Sequence, residues 1–442
     1  MLAVARFARR HSTFTALVLL LGITAAVRMP FWLSSTYAYG HGDAIIWEVW
    51  SRAIYEHGFI NVFRTADSNN VGYHYVLWPT GEIYGRWFSS DFELWTAPIR
   101  VLIKIPPFVC DLGLAAVVFF AARSLSSATT EARRHVEAGA AAAAFALAPA
   151  TVYDSMWWSQ IDSVITLCMA GSALLVLRGR PGAGWAVWMV GFLFKPQPIV
   201  ILPVLAAFTL WKFGPRALAR GVACAVVVGA AALAPFLLHG DAGRIGGTYQ
   251  TMFQQDPIDL AEGAWNGWSI YDLYGDDPVP ADAAFSVSGV DVSYATLSLG
   301  MSAAAAVFVL AYLRRHLDEA GLLAACAAMV FVFYMLPTST HERYLYPMFA
   351  FAAPLLVRHR QLIAPYALLS VTFMLNLLAI NPPNASDFWQ WHETALAVSV
   401  ASVNLAMFAL MVGALIVSAA GGRRAASRSL LPLRDAAPTG SR

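Results

Sequence analysis

The stretch GWAVWMVGFLFKPQPIVILPVLAAFTLW, residues 184–211, decides how this chain can fold. It is longer than the roughly 20 apolar residues that one membrane-spanning helix needs, and Lys195-Pro196-Gln197-Pro198 interrupts it. Proline removes a backbone hydrogen bond from a helix, and a lysine in the middle of a bilayer is costly. We therefore predict two short helical arms that meet at the membrane surface or inside a wet cavity.

The composition extends this interpretation to the whole chain. Of the 442 residues, 58% are hydrophobic and only 13% are charged, about half the ~25% of an ordinary soluble protein. This balance excludes a soluble globular enzyme, a disordered protein and a disulfide scaffold, and 29 Lys and Arg against 27 Asp and Glu indicate no nucleic-acid partner. We predict an all-α, polytopic integral membrane protein with about 11–12 transmembrane segments. The hydrophobic stretches lie at about 12–33, 105–123, 136–153, 160–177, 184–211, 217–238, 293–313, 319–337, 344–357, 361–380 and 394–419.

Charge asymmetry supports the split at Lys195. Loops rich in Lys and Arg tend to lie in the cytoplasm. If 184–211 crosses twice, 20 of the 29 basic residues fall on the cytoplasmic side together with both termini. The opposite loop, 239–293, carries nine acidic residues and one arginine, Arg244. Without the split, the later loops rich in basic residues would lie outside the cytoplasm, against this positive-inside rule.

The topology predicts a single transmembrane domain, residues 1–420, with two long external loops at about 34–104 and 239–293. Neither loop is long enough for a separate large catalytic domain, so any chemistry must use the loops and the outer helix ends. The basic tail, 421–442, is predicted to be disordered and to lie near cytoplasmic lipid headgroups. The N-terminus resembles a signal peptide, but its apolar run continues to about Trp32, so we interpret it as an uncleaved first helix.

The first external loop contains a candidate catalytic carboxylate, Asp43. In the following AIIWEVWSRAIYEHG, residues 44–58, apolar residues recur at helical spacing and Glu48, Arg52 and Glu56 share another face. This pattern predicts an amphipathic helix on the membrane surface. From the spacing alone an N-cap is the simpler role for Asp43, and a chemical role stays open. A second surface helix is predicted within 89–107.

Two tryptophan-containing motifs are candidates for a sugar site. WWSQID, residues 157–162, falls at the outer junction of two helices, where Gln160 and Asp162 flank a tight turn. The second long loop contains Asn266-Gly267-Trp268, in which the indole could stack on a sugar ring and the amide could bond hydroxyl groups. Interfacial anchoring of tryptophan at the membrane would produce similar motifs.

Two clusters of charged residues are candidates for an anion site. Lys195 and Gln197 sit at the predicted helix break, where a lysine would suit a lipid phosphate; a snorkelling lysine is the alternative. His341-Glu342-Arg343 falls between two apolar spans, where adjacent ionisable residues are costly unless they are used. Its spacing is not that of an HExxH zinc motif. The predicted topology brings all these motifs to one external face, which predicts a single external site.

Together the motifs resemble the GT-C class of glycosyltransferases, and within it the GPI-type mannosyltransferases and their bacterial relatives that use polyprenyl-phosphate sugars. The resemblance implies inverting transfer of a hexose, mannose first, from a polyprenyl-phosphate donor to a glycolipid, a lipid-linked glycan or a cell-envelope acceptor. It runs across almost the whole chain and rests on Arg28, Gly42-Asp43, Trp158-Ser159-Gln160-Ile161-Asp162, Phe194-Lys195-Pro196-Gln197, Asn266-Gly267-Trp268 and His341-Glu342-Arg343-Tyr344-Leu345-Tyr346-Pro347.

The resemblance also implies roles for individual residues. Asp43 would be the general base that takes the proton of the acceptor hydroxyl. The cations expected at the departing phosphate are Arg28, Lys195, His341 and Arg343. The contacts expected to the sugar or acceptor come from Trp158, Gln160, Asp162, Gln197, Asn266, Trp268 and Glu342. No cofactor or metal ion is expected. The class often has paired acids near the base, whereas here Glu48 and His41 stand nearby, so metal involvement stays open.

A rival interpretation is a transporter or flippase of a lipid-linked sugar, because a broken helix and intramembrane charges also suit transport. We see no internal repeat, and the polar residues gather on one side rather than at the midplane. A third interpretation is an inactive scaffold subunit of an envelope-assembly complex. In each case the predicted location is the cell membrane, with multiple spans, both termini cytoplasmic and membrane lipids as neighbours.

Overall fold

The structure, a computed structural model, describes residues 12–34, 42–66, 71–253, 260–273, 283–287, 289–383 and 394–428. It does not describe the side chains of residues 12, 42, 43, 251–253, 272, 273, 284, 287, 394 and 418–428. Its main helices are α1 (Ser12–Trp32), α2 (Gly42–His57), α3 (His74–Trp87), α4 (Ala97–Ile103), α5 (Ile105–Leu125), α6 (Glu131–Ala146), α7 (Asp162–Leu177), α8 (Pro181–Phe194), α9 (Leu202–Phe213), α10 (Pro215–Leu238), α11 (Ala242–Phe253), α12 (Gly267–Leu273), α13 (Tyr294–Arg315), α14 (Glu319–Met335), α15 (Tyr346–Ala352), α16 (Ile363–Ile380) and α17 (Thr394–Arg428). Short helical turns lie at Phe59–Asn61, Val62–Thr65, Pro149–Val152, Tyr153–Trp157, Gln197–Ile201, Glu342–Leu345, Ala353–Val357 and Arg360–Leu362.

Long apolar helices dominate the described ranges. Six are long and apolar enough to cross a membrane, or seven if the bent pair Glu131–Ala146 and Pro149–Trp157 counts as one span. These findings confirm the predicted all-α, multi-pass membrane protein. The predicted count of 11–12 stays a prediction, because several apolar helices are shorter than one span needs. The short ones are Asp162–Leu177, Pro181–Phe194, Gln197–Phe213 and Glu319–Met335.

The predicted break in 184–211 is confirmed. Helix α8 ends at Phe194, Lys195 is extended, and the chain re-enters helix through the tight turn Gln197–Ile201. The indole nitrogen of Trp188 braces the break by donating to the carbonyl of Pro198 at 2.8 Å. A Cβ at Gly191 would lie 2.7 Å from the Cβ of Cys168 on α7. The glycine therefore lets α8 approach α7 closely just before the break.

The helices between residues 34 and 104 form a second apolar core beside the main one. It includes Trp47 and Trp50 of α2 together with Tyr73 and Leu77, and it reaches Phe236 of α10. The two predicted surface helices are present as α2 and α4. Helix α3 was not predicted, because an internal proline, Pro79, interrupts its helical sequence pattern.

Two regions differ from the predicted organisation. Strands β1 (Ala284–Val287) and β2 (Val290–Ser293) pair antiparallel as a hairpin in the second long loop, where no strand was predicted. Helix α17 continues to Arg428, past residue 421, where the predicted tail begins. The disorder of that tail stays a prediction. The rest of that predicted tail, 429–442, lies outside the described residues.

Candidate functional site

The turn between α6 and α7 positions the first group of site residues. After the bend at Ala148 and Pro149, residues Tyr153–Trp157 form a π-helical turn. Ser159 then adopts a positive φ of 65°, which is uncommon for a residue with a side chain. Single π-turns and such backbone strain are frequent at functional sites. The turn is buried and ends at Asp162, the first residue of α7.

Lys195 and Asp162, predicted as separate site residues, form an ion pair. The Lys195 ammonium lies 3.2 Å from both carboxylate oxygens of Asp162. Asp162 is completely buried at the N-terminus of α7, where the helix dipole favours a negative charge. The ammonium also lies 5.1 Å from the ring centroid of Tyr344. Pairing makes each charge tolerable in a poorly hydrated site.

The segment between α14 and α15 brings Arg343 to the same place. The Arg343 guanidinium lies 5.6 Å from the ring centroid of Trp158, within cation–π range. Its Nη1 donates to Oε1 of the buried Glu342 at 2.7 Å. The amide nitrogen of Gln197 donates to the carbonyl of Tyr344 at 3.3 Å. The helix break and the 341–346 segment therefore form one cluster with the 157–162 turn.

His341 lies in this cluster as a neutral imidazole in the unliganded site, and its predicted role at the donor phosphate stays a prediction. Burial, together with the charges of Arg343 and Lys195, lowers the pKa of His341 to about 2. Its ring packs edge-on against Tyr344 at 5.1 Å, and Nε2 lies 3.8 Å from Oε2 of Glu262. His341 can therefore take part in hydrogen bonding but contributes no positive charge.

The start of α2 lies next to the cluster. The indole nitrogen of Trp47 donates to the carbonyl of Ser159 at 3.1 Å, and the amide of Gly72 donates to the carbonyl of Leu193 at 2.7 Å, just before the break. Asp43 is the second residue of α2, one turn before Trp47, and its side chain lies outside the described residues. The contact at Trp47 therefore brings the backbone of the proposed base close to the cluster.

Arg28, predicted at the donor phosphate, forms an internal ion pair in this structure, and its role at the phosphate stays a prediction. Its Nε donates to Oδ2 of Asp111 at 2.7 Å, its Nη1 donates to the carbonyl of Ala146, and both charged side chains are completely buried. Asp111 also accepts from Ser155 at 2.6 Å and from Tyr346 at 2.9 Å. The network ties α1 and α5 to the π-helical turn and to α15. In this structure Arg28 helps to hold together the segments that carry the site.

Asn266 and Trp268, predicted to contact the sugar or acceptor, form hydrogen bonds within the fold, and their contacts to a sugar stay a prediction. Asn266 is fully buried, and its Oδ1 accepts from the amides of Trp268 and Ser269, so it is the N-cap of α12. Its amide nitrogen donates to the carbonyl of Tyr334 at 3.0 Å. The indole nitrogen of Trp268 donates to the carbonyl of Leu336 at 2.6 Å. These bonds anchor α12 to the end of α14.

Glu48 is a buried carboxylic acid that the sequence placed on the polar face of α2. Arg52 and Glu56 do pair on that exposed face, at 2.6 Å, whereas Glu48 is completely buried. Its Oε2 accepts from the amide of Trp95 at 2.8 Å. Burial raises the pKa of Glu48 to about 7, although that hydrogen bond and the charge of Arg100 oppose the rise. Glu48 therefore titrates near neutral pH close to the proposed base.

Asp154 is a further buried acid that sequence reasoning missed. It lies in the π-helical turn, just past the predicted end of a hydrophobic stretch at 153. An acidic residue at the end of a hydrophobic stretch could have indicated a site residue, because a carboxylate there is costly unless it has a function. Among the described residues no group of three or more His, Cys, Asp or Glu side chains is placed to hold a metal ion. The expected absence of a metal stays a prediction.

No protein-family model matches this sequence, and a comparison with curated proteins finds no match. Its structure is similar to the crystal structure of ArnT from Cupriavidus metallidurans bound to undecaprenyl phosphate, with a TM-score of 0.50 and 16% sequence identity. The match covers 93% of this chain and 79% of that chain. At this identity the likeness shows the fold. The chain therefore has a GT-C-like fold, as its motifs predicted.

Proposed function

We propose that this chain is an inverting glycosyltransferase that moves a hexose from a polyprenyl-phosphate donor to a glycolipid, a lipid-linked glycan or a cell-envelope acceptor. One observation carries the proposal: the helix break brings Lys195, Asp162 and Arg343 together beside the start of α2. The similar ArnT structure contains undecaprenyl phosphate, which supports a polyprenyl-phosphate ligand here. Mannose is our first choice of sugar, and the external face of the membrane, with both termini cytoplasmic, is our proposed location.

In this proposal the donor phosphate lies near Lys195 and Arg343. Both cations are only 12% exposed, so little water weakens their attraction to a phosphate. Each is paired with a carboxylate, Asp162 or Glu342, while no ligand is bound. Negative charge grows on the phosphate as the bond to the sugar breaks, and cations already in position stabilise that charge. His341, which is neutral, can donate one hydrogen bond but adds no charge.

The transfer step needs one base and no separate acid. The acceptor hydroxyl loses its proton to the carboxylate of Asp43 while its oxygen forms a bond to the anomeric carbon. The bond between that carbon and the phosphate oxygen breaks, and its electron pair stays on the polyprenyl phosphate. Attack from the face opposite the phosphate inverts the anomeric centre. The contact of Trp47 with Ser159 supports Asp43 as the base, because it holds the first turn of α2 near the cluster.

The test is sugar transfer by the purified protein. It receives labelled polyprenyl-phosphate mannose, glucose or a pentose together with an extract of envelope lipids. We expect transfer from at least one donor, and loss of at least 100-fold in the Asp43→Asn variant. The matched control is Asp91→Asn, the same substitution at an exposed position, which should keep full activity.

Two results would contradict the proposal in different ways. Full transfer by Asp43→Asn would remove Asp43 as the base and keep the enzyme class. Absence of transfer from every donor, combined with movement of the labelled lipid across a vesicle membrane, would replace the transferase with the transporter.

A further inference from the structure

Several buried polar atoms near the ion pairs have no hydrogen-bond partner within the part of the chain that the structure describes. Asp154 is completely buried, and neither of its carboxylate oxygens is bonded. Gln160 is also completely buried, and neither its amide oxygen nor its amide nitrogen is bonded. The amide oxygen of Gln197, a residue only 6% exposed, also has no hydrogen-bond partner there.

The surrounding bonds and charges place Asp154 close to the ion pairs of the site. The backbone amide of Gln160 donates to the carbonyl of Asp154 at 3.0 Å, which ties the two residues together. The next residue, Ser155, donates to Asp111 of the structural network. The carboxylate of Asp154 interacts electrostatically with Asp162, Lys195, Arg343 and Asp111, without a hydrogen bond to any of them. It therefore adjoins the proposed phosphate site but is not part of either ion pair.

Buried polar groups in native proteins are nearly always bonded to protein, water or ligand. Among the described residues, the unbonded donors nearby are the amide nitrogen of Gln160, the indole nitrogen of Trp157 and Nε of Arg343, and the hydroxyl of Ser159 is also unbonded. The unbonded acceptors form a set of four: two oxygens of Asp154 and one each of Gln160 and Gln197. Such a set matches a ligand that presents several hydroxyl donors. It does not match a phosphate, which presents acceptor oxygens and is repelled by a carboxylate.

We propose that Asp154 binds hydroxyl groups of the transferred sugar and determines which sugar is accepted. This inference rests on the proposed function and names the sugar-recognising residue of the same site. Gln160 and Gln197 complete the set of polar contacts. The phosphate then lies toward Lys195 and Arg343 and the sugar toward Asp154, so the site orients the donor through the separation of its cations from its acceptors.

The test combines an isosteric variant with donor analogues that each lack one sugar hydroxyl. Wild-type protein should show a kcat/KM that is roughly 10- to 100-fold lower for at least one analogue, as expected for a hydrogen bond to a charged group. In Asp154→Asn, activity with the parent donor should fall, and the penalty for that analogue should shrink toward onefold. Asp91→Asn serves as the exposed control and should keep the wild-type penalty. If Asp154→Asn lowers the rate for all donors equally and leaves the penalty unchanged, Asp154 does not contact the sugar.

A binding experiment separates this inference from the proposed function. Binding to protein in lipid nanodiscs is compared for polyprenyl-phosphate mannose and for polyprenyl phosphate without sugar. We expect the sugar to tighten binding, and the gain to be lost in Asp154→Asn, whether or not transfer occurs. A sugar-dependent gain that persists in the variant, or no gain in the wild type, would overturn the role of Asp154. If Asp154→Asn does not yield folded protein, Asp154→Ser is used in the same two experiments.

Discussion

The Arg28–Asp111 ion pair allows a structural role to be separated from a catalytic one. Replacing Asp111 with alanine leaves the guanidinium of Arg28 completely buried without its counter-ion. Breaking a buried pair in this way costs about 3–5 kcal/mol. Asp111 also accepts from Ser155 and Tyr346, and each lost bond adds about 1 kcal/mol. We therefore expect Asp111→Ala to lower the free energy of unfolding by roughly 5–7 kcal/mol.

The matched variant removes both charges together. Replacement of a buried ion pair by apolar residues of similar volume is often nearly neutral. Arg28→Met combined with Asp111→Leu should therefore unfold at a temperature much closer to wild type than Asp111→Ala does. Unfolding of the detergent-solubilised protein is followed by tryptophan fluorescence, and transfer is measured on the folded fraction. We expect the double variant to keep transfer within about tenfold of wild type, a difference of about 1.4 kcal/mol.

Two results would refute this reasoning. A folded double variant that loses transfer by more than about 100-fold would show that Arg28 acts on the donor, since that loss is typical of an electrostatic contact to the transition state. Wild-type stability in Asp111→Ala would show that the network does not hold α1 and α5 to the π-helical turn.

Three further predictions concern single residues. Lys195→Met should lower kcat by about 100- to 1,000-fold. It should also lower the unfolding temperature, because Asp162 loses its counter-ion. A variant that keeps wild-type kcat would exclude Lys195 from the phosphate site. The folded-state pKa of Glu48, about 7, is above its ordinary value of 4.5. Its contribution to stability, up to about 3 kcal/mol, is therefore present below pH 4.5 and is lost as the pH rises to 7. Unfolding temperatures at pH 5 and pH 8 should differ less in Glu48→Gln than in wild type. Gly263→Ala should destabilise the protein by about 1–3 kcal/mol, since Gly263 has a φ of 90° and an added Cβ would lie 2.6 Å from Oε2 of Glu342; an unchanged unfolding temperature would contradict that contact.

The fold was predictable because its main signals are local in sequence. Apolar length and the positive-inside pattern predicted a polytopic membrane protein, and the prolines beside Lys195 predicted the break that the structure confirms. The predicted topology brought that break, the 157–162 turn and the 341–346 segment to one face, and the structure shows that they meet. Each of these inferences uses spans and charges that can be read without knowing which side chains touch.

The partners of individual side chains were not predictable in the same way. Glu48 looked exposed because a helical pattern shows which residues share a face, but not that the distant Trp95 packs its amide against this one. Asn266 looked free to bind a sugar because its amide nitrogen donates to the carbonyl of Tyr334, which is distant in sequence. Arg28 looked available because Asp111 lies on another helix. In each case a contact between distant segments decided the role.

The pairing of cations with carboxylates bears on which acid acts as the base. Lys195 and Arg343 would be costly near a membrane without counter-ions, and Asp162 and Glu342 supply them in the unliganded site. Each of these carboxylates is held by its cation at 3.2 Å or less. The bound phosphate would compete for the cations, but both carboxylates would still lie on its side of the sugar. An inverting base must act from the opposite side. By this argument the base comes from a separate element, and our proposal assigns that role to Asp43 at the start of α2, the helix whose Trp47 donates to the carbonyl of Ser159.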